Sequence, residues 1–565
     1  MHSAVLRRLR VAIAAAVFAG LFLALAGVHW LGLEAAGHYL ASTQFVPSLL
    51  ALVTGASFSV AWILIAIAAL LVGRVYCSAV CPFGILQDVI ARIAAILRRR
   101  NAALPYALPL TWIRHLFLWG AVVAIGAGWG SFTIALLDPY SSFGRIVSII
   151  FRPLIGLADR AVGGAAKIAG LSWSTHLGTH WGGVGVIGVP AAILSLVVVL
   201  VAFRGRLYCN SVCPVGTLLG LFSRWAAFRV AIDKGSCRKC GECLRACKAQ
   251  CIDLRRGTVD FSRCVACYDC LGVCDNHSVG YRFAWRRNAR TAPAPNAASG
   301  AFEKPSVPEA VADPQRRTFI ATAAVAVAAS LAGTKLHAAG NVVAPRSTID
   351  GKDRLTRPIC PPGSVSVERF VDRCTACQLC VGACPTNVLQ PSFREYGVRG
   401  LWKPRLDYAT GSCDFDCRRC GEVCPSGAIG LLDLAEKQIT RIGVVHFEAA
   451  KCVVLASGTA CTACSDKCPT KAVRTVPTSS GLQLPTIQPL FCIGCGSCEH
   501  VCPARPQKAI TVIGRRHHNR ARKAADGRAT LIASARVRTP REKLQLTACG
   551  GPQSINPNLP ADLQR

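Results

Sequence analysis

Four apolar stretches lie in the first part of the chain, separated by polar segments. They cover about 11–33, 49–72, 112–137 and 183–203. A run of about 20 apolar residues is long enough for a helix to cross the hydrocarbon core of a bilayer. The first stretch alone would also fit a signal peptide, but the stretches that follow it closely favour a retained helix. The pattern therefore predicts a four-helix membrane domain over residues 1–225.

Basic residues mark one side of these predicted spans. They precede the first span and follow the second and the fourth, at Arg7, Arg8, Arg10, Arg74, Arg92, Arg98, Arg99, Arg100, Arg204 and Arg206. Cytoplasmic flanks of membrane helices are enriched in Lys and Arg, so the pattern predicts a cytoplasmic N-terminus. The segment between the third and fourth spans runs against this rule, because it carries Arg145, Arg152, Arg160 and Lys167.

The rest of the chain divides by composition. Short apolar runs between cysteine groups predict a small ferredoxin-like domain over 226–285 and a larger one over 341–512. Residues 286–314 are rich in Ala, Pro and Ser and predict a linker. Residues 315–340 begin with Gln-Arg-Arg-Thr-Phe-Ile and continue into an Ala/Val stretch, which predicts an internal twin-arginine export signal that doubles as a fifth, anchoring span. Residues 513–565 predict a basic flexible tail.

The 31 cysteines indicate the chemistry, because they fall into groups with spacings of two and three residues. Such groups supply thiolate ligands to metal. A disulfide framework is the alternative, but these frameworks belong mainly to short secreted domains. The formal net charge of +34 is an overestimate if many cysteines are metal-bound thiolates. Part of the basic excess also lies at membrane flanks and in the tail, so nucleic-acid binding is not favoured.

The first cysteine-rich segment predicts two 4Fe–4S clusters. A C-x2-C-x2-C loop supplies three thiolates of a cluster, and the fourth comes from the other motif in two-cluster ferredoxins. The predicted sets are Cys237, Cys240, Cys243 and Cys274 for one cluster, and Cys264, Cys267, Cys270 and Cys247 for the other. Lys248 and Asp275 stand where a proline usually follows the fourth cysteine. Cys251 is left over, and we interpret it as a buried small residue, with ligand duty as the alternative.

The second cysteine-rich segment predicts four more clusters, about six in all. Its ligand groups, each ending in Cys-Pro, are Cys374, Cys377, Cys380 and Cys384; Cys413, Cys417, Cys420 and Cys424; Cys452, Cys461, Cys464 and Cys468; and Cys492, Cys495, Cys498 and Cys502. The spacing leaves open whether the first of these groups exchanges its fourth ligand with the second or with the last. A zinc ribbon is the alternative, but its paired C-x2-C knuckles do not need four cysteines in each motif. Cys360 and Cys549 stand outside the motifs and are interpreted as ordinary thiols.

A repeated motif follows the second and fourth apolar stretches. Arg-Val-Tyr-Cys-Ser-Ala-Val-Cys-Pro at 74–82 recurs as Arg-Leu-Tyr-Cys-Asn-Ser-Val-Cys-Pro at 206–214. A C-x3-C spacing places two thiols on one helical face. The two copies therefore predict a shared metal or cluster site at the cytoplasmic interface, formed by Cys77, Cys81, Cys209 and Cys213. A redox-active thiol pair, a Cu(I) site and a structural role are the alternatives.

These motifs resemble two known families. The paired Y-C-x3-C-P motifs followed by a two-cluster ferredoxin resemble NapH-type membrane proteins, and the second half, with its twin-arginine entry and Pro361-Pro362-Gly363, resembles the NapG/MauM-type ferredoxins. The resemblance implies a multidomain fusion in a bacterial inner membrane, with an α-helical membrane domain and α+β bacterial-ferredoxin-like cluster domains. The first of these would be cytoplasmic and the second periplasmic.

The resemblance also implies a function. Electrons would pass from the quinol pool through the clusters to a periplasmic cytochrome or reductase, and the chain would act as an electron-transfer component with quinol dehydrogenase-type activity left open. Residues near predicted membrane interfaces are candidates for contact with quinol, namely His29, His38, His115, Asp138, His176 and His180. A maturation factor that reduces a metal or a disulfide for another enzyme is the alternative function. A passive scaffold is not favoured by six cluster sites.

Overall fold

The computed structural model describes residues 2–28, 34–53, 55, 59–98, 110–170, 183–284, 358–478 and 481–522. The predicted linker at 286–314, the predicted export signal at 315–340 and Cys549 lie outside these ranges. The helices of the N-terminal part are α1 (His2–Ala26), α2 (Glu34–Ser42), α3 (Phe45–Val53), α4 (Ala61–Val72), α5 (Tyr76–Ala79), α6 (Pro82–Arg98), α7 (Thr111–Ala124), α8 (Gly130–Leu137), α9 (Pro139–Ile146), α10 (Arg152–Ile168), α11 (Val184–Arg204), α12 (Leu207–Ser211) and α13 (Pro214–Ser223). Two π-helical turns, Ile125–Trp129 and Val147–Phe151, join α7 to α8 and α9 to α10.

In the described part of the chain, three helices are long and apolar enough to cross a membrane. They are Val5–Ala26, Thr111–Leu137 and Val184–Arg204, which match the first, third and fourth predicted spans. The second predicted span is divided between α3 and the shorter apolar helix α4, which has 12 residues. At about 1.5 Å per residue, α4 alone reaches only roughly 18 Å. Four full-length spans are thus not what the described residues form.

The helix α1 lies at the centre of this domain. Leu21 and Leu25 are fully buried on it. The Phe18 ring lies 5.4 Å from the Phe143 ring of α9, and the Phe22 ring lies 5.8 Å from the Phe151 ring, measured between centroids. Aromatic pairs at such distances stabilise packing beyond the burial of area alone. These contacts hold the α9 segment against α1.

The first ferredoxin region, residues 228–284, is built on two small antiparallel pairs. Strand β1 (Phe228–Ile232) pairs with β4 (Val279–Phe283), with Phe228 opposite Phe283. Strand β2 (Ile252–Asp253) pairs with β3 (Thr258–Val259). Two short helices, α14 (Glu242–Ala246) and α15 (Asp269–Gly272), follow the two cysteine loops.

The second ferredoxin region, residues 358–522, repeats this mixture of short helices and strand pairs. Its helices are α16 (Val367–Arg373), α17 (Leu379–Gly382), α18 (Arg419–Glu422), α19 (Leu434–Lys437), α20 (Val453–Ala456), α21 (Ala463–Asp466) and α22 (Ser497–Val501). Its strands are β5 (Leu389–Pro391), β6 (Pro404–Leu406), β7 (Thr440–Phe447), β8 (Val473–Pro477), β9 (Gln483–Ile487) and β10 (Ile510–Arg520). They form the antiparallel pairs β5–β6, β7–β10 and β8–β9.

The region extends further than the sequence predicts. Strand β10 continues past Val512 and pairs with β7 up to the partners Arg520 and Thr440, with an irregularity after Gly514. The first ten residues of the predicted tail therefore belong to the second ferredoxin region. The prediction of a flexible tail was wrong for these residues, because a basic composition is also compatible with a strand. Their strand is held by backbone hydrogen bonds to β7.

The two ferredoxin regions contact opposite ends of α1. Near its N-terminus, Arg7 forms an ion pair with Asp269 of the first region at 3.2 Å. Near its C-terminus, the carbonyl oxygens of Ala24 and Leu25 lie so close to Gly382 of the second region that a Cβ there would come within 2.6 and 2.9 Å of them. The 17 helical steps from Arg7 to Ala24 span about 25 Å. The regions are thus separated by nearly the thickness of a bilayer core, about 30 Å.

Candidate iron–sulfur centres

The described cysteines are all free thiols, and none of them forms a disulfide. They gather around voids instead. In the described ranges, no three His, Cys, Asp or Glu side chains are arranged to hold a single metal ion.

The first region brings the two halves of each predicted set together. One cavity is lined by Cys264, Cys267 and Cys270 together with Cys247 from the other motif. In the second set, Cys243 interacts electrostatically with Cys237, Cys240 and Cys274. The fourth cysteine of each motif therefore lies beside the other motif, as the spacing predicts.

The second region shows which motifs are partners, a question that the spacing leaves open. One cavity is lined by Cys413, Cys417 and Cys420 together with Cys384, and another by Cys452, Cys461 and Cys464 together with Cys502. The reciprocal fourth cysteines also match, because Cys424 interacts with the Cys374, Cys377 and Cys380 group, and Cys468 with the Cys492, Cys495 and Cys498 group. Neighbouring motifs along the chain are therefore paired.

The residues at these sites fit a 4Fe–4S cluster. The three cavities are lined mainly by thiols and apolar side chains, with Thr386, Asp414 and Arg419 beside the Cys413 group. Burial, together with neighbouring thiols, raises the pKa of Cys243 and of Cys464 to about 11. Such thiols keep their protons unless a metal takes their place. These cysteines are therefore better suited to bind iron than to stand as unbound thiolates.

Backbone conformation shapes several of the cysteine loops. Residues on both sides of a middle cysteine have a positive φ, for example Ala266 and Tyr268 around Cys267, with φ of 48° and 62°. Gly494 and Gly496 flank Cys495 in the same way, with φ of 79° and 77°. Left-handed residues turn the chain sharply. The turns let three cysteines of one short loop face a common void.

The paired motifs also meet. Cys77, Cys81, Cys209 and Cys213 are each at most 5% exposed. Cys77 interacts electrostatically with Cys209, and Cys81 and Cys213 each interact with Cys77 and Cys209. The structure thus gathers the four predicted thiols, which we call the membrane thiol quartet. The sequence prediction of their proximity agrees with this geometry, and their occupant stays a prediction.

The repeat extends beyond the motif at 74–82 and 206–214 that the sequence analysis describes. Each copy begins at a glycine that ends a helix with positive φ, Gly73 at 86° and Gly205 at 58°. Each copy also has a glycine three residues after its second cysteine, Gly84 and Gly216, where a Cβ would clash with the carbonyl oxygen of Cys77 or Cys209. Both glycines occupy equivalent positions in the two copies. This recurrence in the sequence could have revealed the longer repeat.

The arginine of each copy reaches into the other copy. Fully buried Arg74 donates to Asn210 Oδ1 at 2.6 Å and to Gly216 O at 2.8 Å. Arg206 donates to Cys77 O at 2.7 Å and to Asp88 Oδ1 at 2.9 Å. The guanidinium groups therefore lock the two motifs together and fix the position of the quartet.

Arg74 also connects the quartet to the first ferredoxin region. Its Nε donates to the carbonyl oxygen of Cys264 at 3.3 Å. The backbone N–H of Arg206 donates to Lys248 O at 3.0 Å, next to Cys247. Cys264, which lines the cavity, and Lys248, which follows the cavity residue Cys247, thus contact the paired motifs directly.

Asp88 forms ion pairs with groups from three of these parts. Its carboxylate lies 2.5 Å from Arg10, 2.7 Å from Arg206 and 3.6 Å from Lys248. Burial alone would raise the pKa of Asp88, but the charges of Arg206, Lys248 and Arg10 hold it below its ordinary value. Lys248, which replaces the usual proline, also pairs with Asp269 at 2.9 Å. The replacement therefore supplies a docking contact.

A polar group on α9 joins the quartet to the second ferredoxin region. Asp138 lies within electrostatic range of Cys81 and of Tyr140. Fully buried Tyr140 in turn interacts with Cys377 and Cys380 of the second region. The quartet thus lies between the two ferredoxin regions, and its predicted place at the cytoplasmic interface stays a prediction.

The candidates for contact with quinol have different surroundings. Asp138 is 3% exposed, and its Oδ2 accepts hydrogen bonds from Ser141 N at 2.9 Å and Ser141 Oγ at 2.7 Å, so it caps α9. His38 and His115 are half-buried. His29, His176 and His180 lie outside the described residues. The capping role alone accounts for the position of Asp138.

Comparison with known proteins agrees with this chemistry. Residues 54–102 and 186–232, which hold the two paired motifs, match a family model described as a 4Fe-4S binding domain. Residues 373–429 and 457–506 match two models described as 4Fe-4S dicluster domains. The first of these ranges contains two neighbouring motifs of the second region, and the other contains the remaining two except for Cys452.

Among curated proteins, the ferredoxin-type protein NapF of Escherichia coli K12 is 30% identical over 159 residues, which are 28% of this chain and 88% of NapF. The chain belongs to the NapF family of ferredoxin-type proteins. It is also 27% identical to the methylamine utilization ferredoxin-type protein MauM of Methylophilus methylotrophus, over 35% of this chain and 87% of MauM. The putative electron transport protein YccM of E. coli K12 is 27% identical, over 36% of this chain and 50% of YccM.

No solved structure matches the chain significantly. The family models and relatives identify an iron–sulfur electron-transfer protein with several 4Fe–4S binding domains. The predicted resemblance to MauM-type ferredoxins is confirmed.

Proposed function

We propose that this NapF-family protein conducts electrons across a bacterial inner membrane between two ferredoxin regions, by way of the membrane thiol quartet. The contact of the two regions with opposite ends of α1 carries the proposal. A helix of this apolarity and length fits a bilayer core. Carriers on both sides of the membrane would then be parts of one chain.

The contacts form a continuous series through the protein. Arg74 joins the Cys264 loop of the first region to the quartet through its bonds to Cys264 O and Asn210. Beyond the quartet, Asp138 interacts electrostatically with Cys81 and Tyr140, and Tyr140 with Cys377. A bound 4Fe–4S cluster supplies a one-electron site at each cysteine set. Several short transfers between these sites would then replace one long transfer.

The residues that we propose as ligands are the six four-cysteine sets given by the paired motifs, and the quartet as a seventh thiolate site. Buried basic groups lie beside the quartet, with Arg74 and Arg206 nearby. A reduced centre gains negative charge, and neighbouring guanidinium groups stabilise that charge in a low dielectric. The arrangement therefore suits a redox centre better than an inert packing site.

The charges at the ends of the spans support an orientation. Arg7 and Arg10 lie near the N-terminal end of α1, Arg204 is the last residue of α11 and Arg206 follows it, which favours a cytoplasmic first region. The second region would then be periplasmic, delivered by the internal twin-arginine segment. We propose quinol as the donor and a periplasmic cytochrome or reductase as the acceptor.

A reporter that tolerates folded export, fused after Arg522, tests the topology. We expect periplasmic activity that is lost when Arg316→Lys and Arg317→Lys are combined. The pair Arg286→Lys and Arg287→Lys in the linker is the matched control and should leave export unchanged. Cytoplasmic activity in the unmodified chain would refute the transmembrane route and leave an assembly role as the better explanation.

A second experiment tests the route itself. The purified protein is placed in sealed vesicles, reduced from the outside by an impermeant reductant, and an impermeant oxidant inside is monitored. We expect that Cys81→Ser combined with Cys213→Ser blocks transfer, while iron bound by the two ferredoxin regions remains. Unchanged transfer in this variant would exclude the quartet from the route.

A further inference from the structure

The cavity of the first ferredoxin region contains five cysteines where four are needed. Cys251 lines it together with Cys247, Cys264, Cys267 and Cys270. Cys251 is 1% exposed, and its Sγ lies 3.5 Å from the Sγ of Cys247. It also interacts electrostatically with Cys264. The fifth thiol thus lies beside a predicted ligand from each motif.

A tight turn holds Cys247 and Cys251 side by side. The helix α14 ends at Ala246, and Gln250 N donates to Cys247 O at 3.2 Å. Gln250 has a positive φ of 51°, which reverses the chain just before Cys251. The carbonyl oxygen of Cys251 accepts from Asp260 N at 2.8 Å, so its backbone is fixed as well. Both sulfurs are therefore presented to the same part of the cavity.

We propose that Cys247 and Cys251 are interchangeable ligands at one corner of this site. The proposal rests on the proposed function, in which the cavity holds a 4Fe–4S cluster. In the exchange, the iron–sulfur bond to Cys247 breaks and one to Cys251 forms. The thiol proton of Cys251 passes to the released Cys247 sulfur, and no electron is gained or lost. The exchange therefore needs no further reactant.

Cys251 and Cys360 are both buried thiols outside the four-cysteine sets, but their positions differ. Cys360 interacts electrostatically with Tyr396 and Cys374, and it lines none of the three cysteine cavities described above. Burial alone therefore does not distinguish the two thiols. The shared cavity and the short distance to Cys247 do, and Cys360 provides the matched control.

The full-length protein tests the exchange through four variants, Cys247→Ala, Cys251→Ala, the double variant and Cys360→Ala. Bound iron and sulfide and the electron paramagnetic resonance of the reduced protein are measured for each. We expect each single variant to keep the full iron content, and only the double variant to lose one cluster and its signal. A Cys247→Ala protein that loses as much iron as the double variant would refute the proposal.

Two further measurements make the result decisive. If Cys247→Ala does not accumulate, Cys247→Ser keeps the side-chain volume and gives the same comparison with and without Cys251→Ala. A Cys270→Ala variant shows the signal that belongs to this cavity, because it removes a ligand that has no fifth thiol beside it. If Cys270→Ala changes neither iron nor spectrum, the cavity holds no cluster, and the proposed function fails at this site rather than the ligand exchange alone.

Discussion

The two ferredoxin regions dock on the same helix by different chemistry. The first region uses ion pairs, in which Asp269 meets Arg7 of α1 and Lys248 lies 3.6 Å from Asp88 of α6. The second region uses close backbone approach and neutral acceptors. Gly144 of α9 faces the carbonyl oxygen of Cys377, and buried Arg152 donates to Val381 O at 2.9 Å and Asn387 Oδ1 at 2.5 Å.

The difference reflects what each end of the membrane domain presents. The N-terminal end of α1 carries arginines, which need acidic partners when they are buried. The C-terminal end presents the last carbonyl groups of the helix, which have no partner within it. A glycine at 382 lets the second region approach these carbonyls. Charge thus dominates one interface, and shape dominates the other.

The largest expected effect concerns the ionic interface. Asp88→Asn leaves Arg206, which is 2% exposed, without its charged partner. Breaking one side of a buried pair costs about 3–5 kcal/mol. We expect a clear loss of thermal stability in detergent. Asp233→Asn, which removes an exposed pair to Arg282 at 3.9 Å, is the control and should change stability by less than about 1 kcal/mol.

The shape-dominated interface should respond to added volume. A side chain at Gly144 would clash with the backbone of Cys377, which cannot move aside as a flexible side chain would. We expect Gly144→Leu to destabilise the contact by about 3 kcal/mol and to expose the second region to protease. Gly164→Leu on α10, where a Cβ meets nothing within 4 Å, should leave digestion unchanged. Equal digestion of both variants would contradict this reading of the interface.

A smaller effect is expected at the quartet between the two interfaces. Gln87 Nε2 donates to Cys209 Sγ at 3.1 Å. A donor to sulfur stabilises the more negative, reduced state of a centre. We expect Gln87→Ala to lower the reduction potential of the quartet centre by on the order of 60 mV, equivalent to about 1.4 kcal/mol for one electron.

Redox titration followed by electron paramagnetic resonance measures this shift. Ser78→Ala is the control, because Ser78 lies beside Cys77 but donates to the carbonyl oxygen of Val75 rather than to sulfur. A shift of the same size in both variants would mean that polarity near the quartet, and not the bond to sulfur, sets the potential.

The smallest effect should come from the exposed edge of the ionic interface. The side chain of Arg7 is 48% exposed in its pair with Asp269. Solvent and salt screen such pairs, so Arg7→Ala should cost about 0.5 kcal/mol and less at high ionic strength. Thermal unfolding at low and high salt measures it. A loss of stability as large as that of Asp88→Asn would show that the exposed Arg7–Asp269 pair, and not only the buried pairs, stabilises the interface.

Much of the site was predictable because cysteine spacing is a local property. The loop of Cys264, Cys267 and Cys270 closes on a void, as C-x2-C-x2-C spacing predicts. The exchange of Cys384 and Cys424 was not predictable, since it depends on which loops fold side by side. Asp88 and Gln87 were missed, because an acid or amide in an amphipathic helix has no distinctive pattern. The strand after Val512 was missed because its basic residues resemble those of a tail.

The thiolate chemistry, the repeated motif and most of the apolar spans could be predicted from the sequence, since each depends on residue type and short spacing. How these parts are connected depends on the packing of the folded chain. This packing paired the motifs of the second region, gathered the quartet between the two ferredoxin regions and placed Cys251 beside Cys247. These relations depend on contacts between residues far apart along the chain, such as Arg74 with Cys264 and Gly382 with Ala24, which only the packed chain brings together.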